Sequence, residues 1–114
     1  MIAILLVALP RLLRDEVEAA IEAEPDLEVV AERDDSSELE EELRRTGARV
    51  VVAADDAVEP ARALALVASS GIRVITLSGE GREASVYECR PERQSIGELS
   101  PEALTRLLRS SAGR

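Results

Sequence analysis

The chain has 114 residues, 46% of them hydrophobic and 32% charged, with 23 acidic against 14 basic side chains and a net charge of −9. That composition fits one soluble globular domain whose core needs neither disulfide nor metal. Every basic residue is an arginine, and Lys, His, Trp and Phe do not occur, which excludes histidine acid–base chemistry, a Ser/His/Asp triad, histidine-ligated metal and a catalytic lysine.

Ile2 to Leu9 is a continuous apolar run of strand length, the pattern of a strand covered on both faces, and Pro10 ends it. The opening MIAILLVAL is too short to span a bilayer and lacks the basic start and cleavage site of a signal peptide. From Arg11 to Glu24, the residues Leu13, Val17, Ala20 and Ile21 make one apolar helical stripe opposite Arg14, Glu18 and Glu22. Pro25 and Asp26 stop that helix, and Leu27 to Glu32 reads as a second, more polar strand at a sheet edge. Asp34 and Asp35 lead into the next helix, where Ser37 and Glu40 have the spacing of a capping box. That helix buries little beyond Leu39 and Leu43 before Gly47. Its acids Glu38, Glu40, Glu41 and Glu42 read as a solvated face suited to the helix start, with a steering patch for a basic partner as the alternative.

Arg49 to Ala54 is a third buried strand, and Pro60 opens a helix carrying Leu64 and Val67 that runs to Ser69 before Gly71. Ile72 to Leu77 is a fourth strand. Ser100 and Pro101 start a final helix, capped by the hydroxyl and carrying Leu104, Leu107 and Leu108. Strand and helix thus alternate, which predicts an α/β fold with a parallel sheet covered by helices on both faces. One stretch breaks the rhythm. Ser78 to Leu99 has no apolar helical stripe, and the alternation in Ala84 to Arg90 favours an extended segment. The fourth helix is therefore expected to be short or replaced. Residues 1–110 form the domain, and 111–114 read as a frayed tail or the start of a linker.

The stretch LLVALPRLLRDEVEAAIEAEPDLEVVAE resembles the opening of a bacterial response-regulator receiver domain of the kind that precedes a helix-turn-helix output domain. EAEPDLEVV is its most specific part. The resemblance continues through GARVVVAA, GIRVITLS and LSPEALTRLLRS, covering about residues 2 to 78 and resuming near Ile96. It implies a flavodoxin-like, doubly wound, mostly parallel five-stranded sheet in three αβα layers, with a place in two-component signal transduction and transcription control. In that family two acids after the first strand hold Mg²⁺, a hard cation that demands oxygen ligands. An aspartate ending the third strand accepts the phosphoryl group, which a Ser or Thr ending the fourth strand and a lysine ending the fifth then bind.

Carried onto this chain, the acid pair falls on Ala8 and Leu9, the acceptor on Ala54 with Asp55 one place later, the hydroxyl on Ser78, and the lysine near Gly97. Phosphoryl transfer rests on positioning and charge neutralisation, and three of the four parts are missing. The resemblance therefore implies a degenerate receiver, without enzymatic activity, metal or cofactor, acting through a protein partner or as a homodimer.

Several residues carry sharper readings beside plainer ones. Asp55 and Asp56 are either a shifted acceptor-and-metal site at the strand ends or a polar loop, and the lack of lysine favours the loop. Ser78-Gly79-Glu80-Gly81-Arg82 is either an anion cradle or a flexible turn, with Glu80 and Glu83 opposing an anion. Cys89 is expected to be a small, partly buried thiol, since no base is present to activate it. As the lone cysteine it suits a reducing cytoplasm, where the protein is expected, away from membranes. Tyr87 is a core or edge aromatic, or an interface anchor. The acidic balance and this single aromatic argue against a nucleic-acid partner. In the resembled family the fourth helix, fifth strand and fifth helix carry dimerisation and output contacts, so Val86, Tyr87, Ile96, Leu104 and Leu108 are expected on an interaction surface. Two further readings are a small-ligand sensor using the crevice that Ala8, Leu9 and Ala54 make apolar, and a residual phosphoacceptor at Asp55.

Overall fold

A computed structural model of the chain describes residues 1–78, 81–89 and 100–112. The elements are β1 (Ile2–Val7), α1 (Arg11–Glu22), β2 (Leu27–Arg33), α2 (Leu39–Thr46), β3 (Val50–Ala54), α3 (Pro60–Ser70), β4 (Arg73–Leu77), β5 (Ala84–Tyr87) and α4 (Pro101–Ala112). One five-stranded sheet runs in the order β2-β1-β3-β4-β5, with β2, β1, β3 and β4 parallel. The apolar runs sit at its centre. Ile4 of β1 is aligned with Val50 of β3, and Val50 in turn with Arg73 of β4.

Successive strand residues leave the sheet on opposite faces, so a run apolar at every position needs cover on both. Ile4, Leu6, Val52, Ile75 and Leu77 cluster with Leu13, Val17 and Ile21 of α1 and with Leu104 and Leu108 of α4. The alternate residues Leu5, Val7, Val51, Ala53 and Val74 cluster with Leu39 and Leu43 of α2 and with Ala63, Leu66 and Val67 of α3. Each large side chain so buried contributes roughly 1.5–3 kcal/mol. β2 is an edge, as its polarity predicts, and its register slips opposite Ile4 and Leu5 of β1, a local bulge of the kind that discourages pairing with another chain.

β5 is antiparallel to β4, with Leu77 opposite Ala84 and Val74 opposite Tyr87. The connection, residues 78–83, is too short for a parallel crossover, which takes about a dozen residues or more, and so it can only fold the chain back as a hairpin. A helix between β4 and β5 is thus replaced by a turn. Ser78 organises it. Its amide donates to the Glu83 carbonyl at 2.9 Å, and its Oγ accepts from the amides of Arg82 and Glu83, each at 3.2 Å. Gly81 sits in this turn at φ +71°, where a Cβ would lie 3.1 Å from Leu13 Cδ1, so both backbone conformation and close approach call for glycine.

Local details differ from the sequence reading. The Ser37 hydroxyl does not cap α2. It donates to Asp35 Oδ1 at 2.6 Å, and Glu38, at φ 56°, stands at the helix start without a side-chain cap. A carboxylate two residues away competes better for the hydroxyl than a helix amide does. Glu42, expected on the solvated face, is buried between Arg33 and Arg45. Leu64 is exposed, while Val67 is buried as expected, together with Ala63 and Leu66. Ser100 does cap α4, its Oγ accepting from the Ala103 amide at 3.1 Å. α4 continues to Ala112, into the stretch read as a tail.

Candidate functional site

The carboxyl ends of β1, β3 and β4 share one edge of the sheet with the amino end of β5. In such sheets this edge is where ligands bind. A crevice of about 240 Å³ opens there, lined by Ala8, Leu9 and Pro10 after β1, Ala54 and Asp56 at and after β3, Arg33 and Asp34 at the end of β2, and Arg14 of α1. The three alanine and leucine positions picked out by resemblance are therefore brought together. Ala8 has φ 55°, left-handed for a residue with a Cβ, and its amide donates to the Arg33 carbonyl at 2.8 Å, so the chain turns sharply off β1 into the crevice wall.

The remaining expected positions behave differently. Asp55 is exposed, and its amide donates to the Leu77 carbonyl at 2.8 Å, which ties the loop after β3 to β4. Asp56, one residue on, is the aspartate that lines the crevice. Ser78 is spent on the hairpin turn and is not part of the lining. Gly97 and Ile96 lie outside the described residues, as do Gly79 and Glu80 of the suggested anion cradle. β5 runs antiparallel, so its own carboxyl end, at Tyr87, stands at the opposite edge from the crevice.

The crevice charge is mixed, Arg14 and Arg33 against Glu32, Asp34 and Asp56, and both arginines have carboxylate partners. Arg14 Nε lies 3.7 Å from Glu32 Oε1, and Arg33 Nη1 lies 3.4 Å from Glu42 Oε1. The Glu18 carboxyl, hydrogen-bonded to Glu32 and partly desolvated on α1, is held above the usual carboxylate range. Glu42 goes the other way, because the Arg45 guanidinium hydrogen-bonded to it favours its charged form. Asp35 is likewise lowered by the hydroxyl and amide of Ser37. Among the described residues no three His, Cys, Asp or Glu side chains are placed to hold a metal ion. The crevice is also smaller than the roughly 300 Å³ at which small-molecule sites begin.

Four of the five residues expected on an interaction surface belong to the interior. Val86, Tyr87, Leu104 and Leu108 are 2%, 4%, 2% and 0% exposed. Reversing β5 tucks Val86 under α4 and Tyr87 against the α2–α3 side, so these side chains serve packing. Cys89 is exposed rather than partly buried, since it follows the end of β5.

Two features escaped the sequence reading. Arg73 opens β4 with 5% exposure beneath α4, donating from Nη1 to the Leu107 carbonyl at 3.1 Å and pairing with Glu88 just after β5. An arginine inside the apolar run IRVITL was the available signal, because a buried cation requires partners. The second is a groove of about 670 Å³ between α1 and α4, floored by Ala20 and Thr105 and walled by Glu24, Arg106 and Arg109. Its small residues were legible only as core. Arg109 closes the far end, its Nε donating to Asp26 Oδ2 at 2.9 Å and its Nη2 pairing with Glu24. That guanidinium holds the Asp26 carboxyl below the usual range.

No helix among the described residues is long and apolar enough to cross a membrane. No family model, no curated protein and no solved structure matches this chain.

Proposed function

We propose that this chain is a receiver-like signalling module of flavodoxin-like, three-layer αβα architecture that acts in the cytoplasm by binding protein, without phosphorylation. One observation carries the reading. At the sheet edge where phosphoryl chemistry would need two metal-binding acids and an acceptor, the crevice presents Ala8, Leu9 and Ala54. Both arginines there are already matched to carboxylate, which leaves no cation free to neutralise a phosphoryl group, and Asp34 and Asp56 on the lining belong to no group of three acids placed to hold a metal ion among the described residues. An α/β sheet with both faces covered but an inert crevice is a rigid scaffold whose helices remain for recognition.

Incubation with acetyl phosphate and Mg²⁺ followed by intact-mass measurement tests the claim. The mass is expected to stay unchanged. An adduct of one phosphoryl group that disappears in Asp55→Asn or Asp56→Asn would overturn the phosphorylation-independent reading.

A further inference from the structure

We infer that Arg73 is a latch that makes α4 and the end of β5 open and close as one unit, so that a hold on either element is transmitted to the other. The Arg73 amide donates to the Arg49 carbonyl just before β3 at 3.1 Å, which fixes its backbone in the sheet interior. By strand alternation its side chain leaves the sheet on the face of Ile75 and Leu77, which α4 covers with Leu104 and Leu108.

Val74 is paired with Tyr87, so one step further along the antiparallel register Arg73 stands opposite Glu88, on the same face as Val86. The guanidinium therefore has the sheet beneath it, the Glu88 carboxylate beside it and the Leu107 carbonyl of α4 above it. A carbonyl oxygen has two lone pairs, so Leu107 accepts from Arg73 without giving up its place in the helix. This meeting of three elements depends on the reversal of β5. In a parallel sheet the end of β5 would stand at the crevice edge, a strand length away from Arg73.

Arg73 is the only buried cation among the described residues, at 5% exposure, and an arginine cannot shed its proton to escape burial. The core tolerates that charge while carboxylate and carbonyl stay within reach, and the loss of one partner leaves it poorly solvated. If Glu88 departs, the cation under α4 must draw in water, which lifts the helix. If α4 lifts, water reaches the Arg73–Glu88 pair and weakens it, which frees the end of β5. Each opening lowers the cost of the other, and linkage makes the coupling equal in both directions.

Native-state hydrogen exchange of the whole chain provides the test. Glu88→Gln keeps the shape of a side chain that is 27% exposed, leaves the apolar packing of Val86 alone, and removes the charge that Arg73 pairs with. It should speed exchange of the α4 amides from Leu104 to Arg109, and of those in β5, by about tenfold, while Val50–Ala54 of β3 keep their protection. Arg73→Met removes the cation and keeps an apolar stem, and in that background Glu88→Gln should change α4 no further. Glu88→Gln decides the matter alone if Arg73→Met does not fold. α4 amides indifferent to Glu88→Gln overturn the inference, and so does an acceleration that persists without Arg73. Equal acceleration in β3 overturns it as well, since the pair would then support the whole fold and not one opening unit.

Discussion

Ala8 shows how much one residue can decide at the sheet edge. A receiver-type site would need a carboxylate there, and the chain has a methyl group in a left-handed conformation, with φ 55°. That conformation costs an L-residue roughly 1–2 kcal/mol, and glycine adopts it freely at the expense of greater freedom in the unfolded chain. Ala8→Gly is therefore expected to leave stability unchanged or raise it by up to about 1 kcal/mol, while Ala8→Val should lower it by about 1–3 kcal/mol. Urea midpoints of the two variants check this, and a loss on Ala8→Gly would mean that the methyl packing outweighs the strain. Arg73 is the opposite case, a charge retained in the core. Its contacts with Glu88 and the Leu107 carbonyl join the start of β4, the end of β5 and the last turns of α4, so its polar head reports on whether those three are assembled.

Among the elements, the β4–β5 hairpin sets this chain apart from a fully parallel sheet. Its turn depends on the Ser78 hydroxyl, which accepts from two amides, and on Gly81, which is pressed against Leu13. Gly81→Ala should cost about 1–2 kcal/mol from backbone strain alone. The contact with α1 adds to that, because a Cβ there would stand 3.1 Å from Leu13 Cδ1. Ser78→Ala should cost about 1–2 kcal/mol by leaving the Arg82 and Glu83 amides without their acceptor. Chemical denaturation measures both. Effects within a few tenths of a kcal/mol in both variants would show the hairpin to be held by β4–β5 pairing alone.

For the whole molecule, ion pairs, one joining distant segments and one within α2, make acid the vulnerable side. Asp26 and Glu42 titrate below the ordinary carboxylate range because Arg109 and Arg45, respectively, favour their charged forms. A depressed carboxyl contributes fully above its unfolded value, about 4, and loses that contribution as pH falls through the lower folded value. Glu18 has the opposite sign. Its raised value means that the folded state holds its proton more tightly, so stability falls as pH rises through that window. The urea midpoint should therefore drop below about pH 4, less steeply in Asp26→Asn and Glu42→Gln, while Glu18→Gln should raise the midpoint at pH 7. An acid limb unchanged in both amide variants would place the sensitivity in other carboxylates.

Apolar runs bounded by Pro10, Gly47, Pro60 and Gly71 made β1, β3, β4 and all four helices of the described residues legible in the sequence, because a strand buried on both faces and a helix buried on one leave different periods. The same letters showed that Ala8, Leu9 and Ala54 lack the groups for phosphoryl chemistry and that no lysine exists anywhere to supply one, whereas the fold alone brings Asp34 and Asp56 to the crevice. Tertiary structure alone decided the direction of β5. Alternation in Ala84 to Tyr87 reads the same for a parallel or an antiparallel neighbour, and only the short span after Leu77 closing onto β4 selects the hairpin. That choice carried Val86 and Tyr87 into the core and, with α4 packed beside α1, opened a groove from alanines whose outward exposure depends on which helix stands next to them.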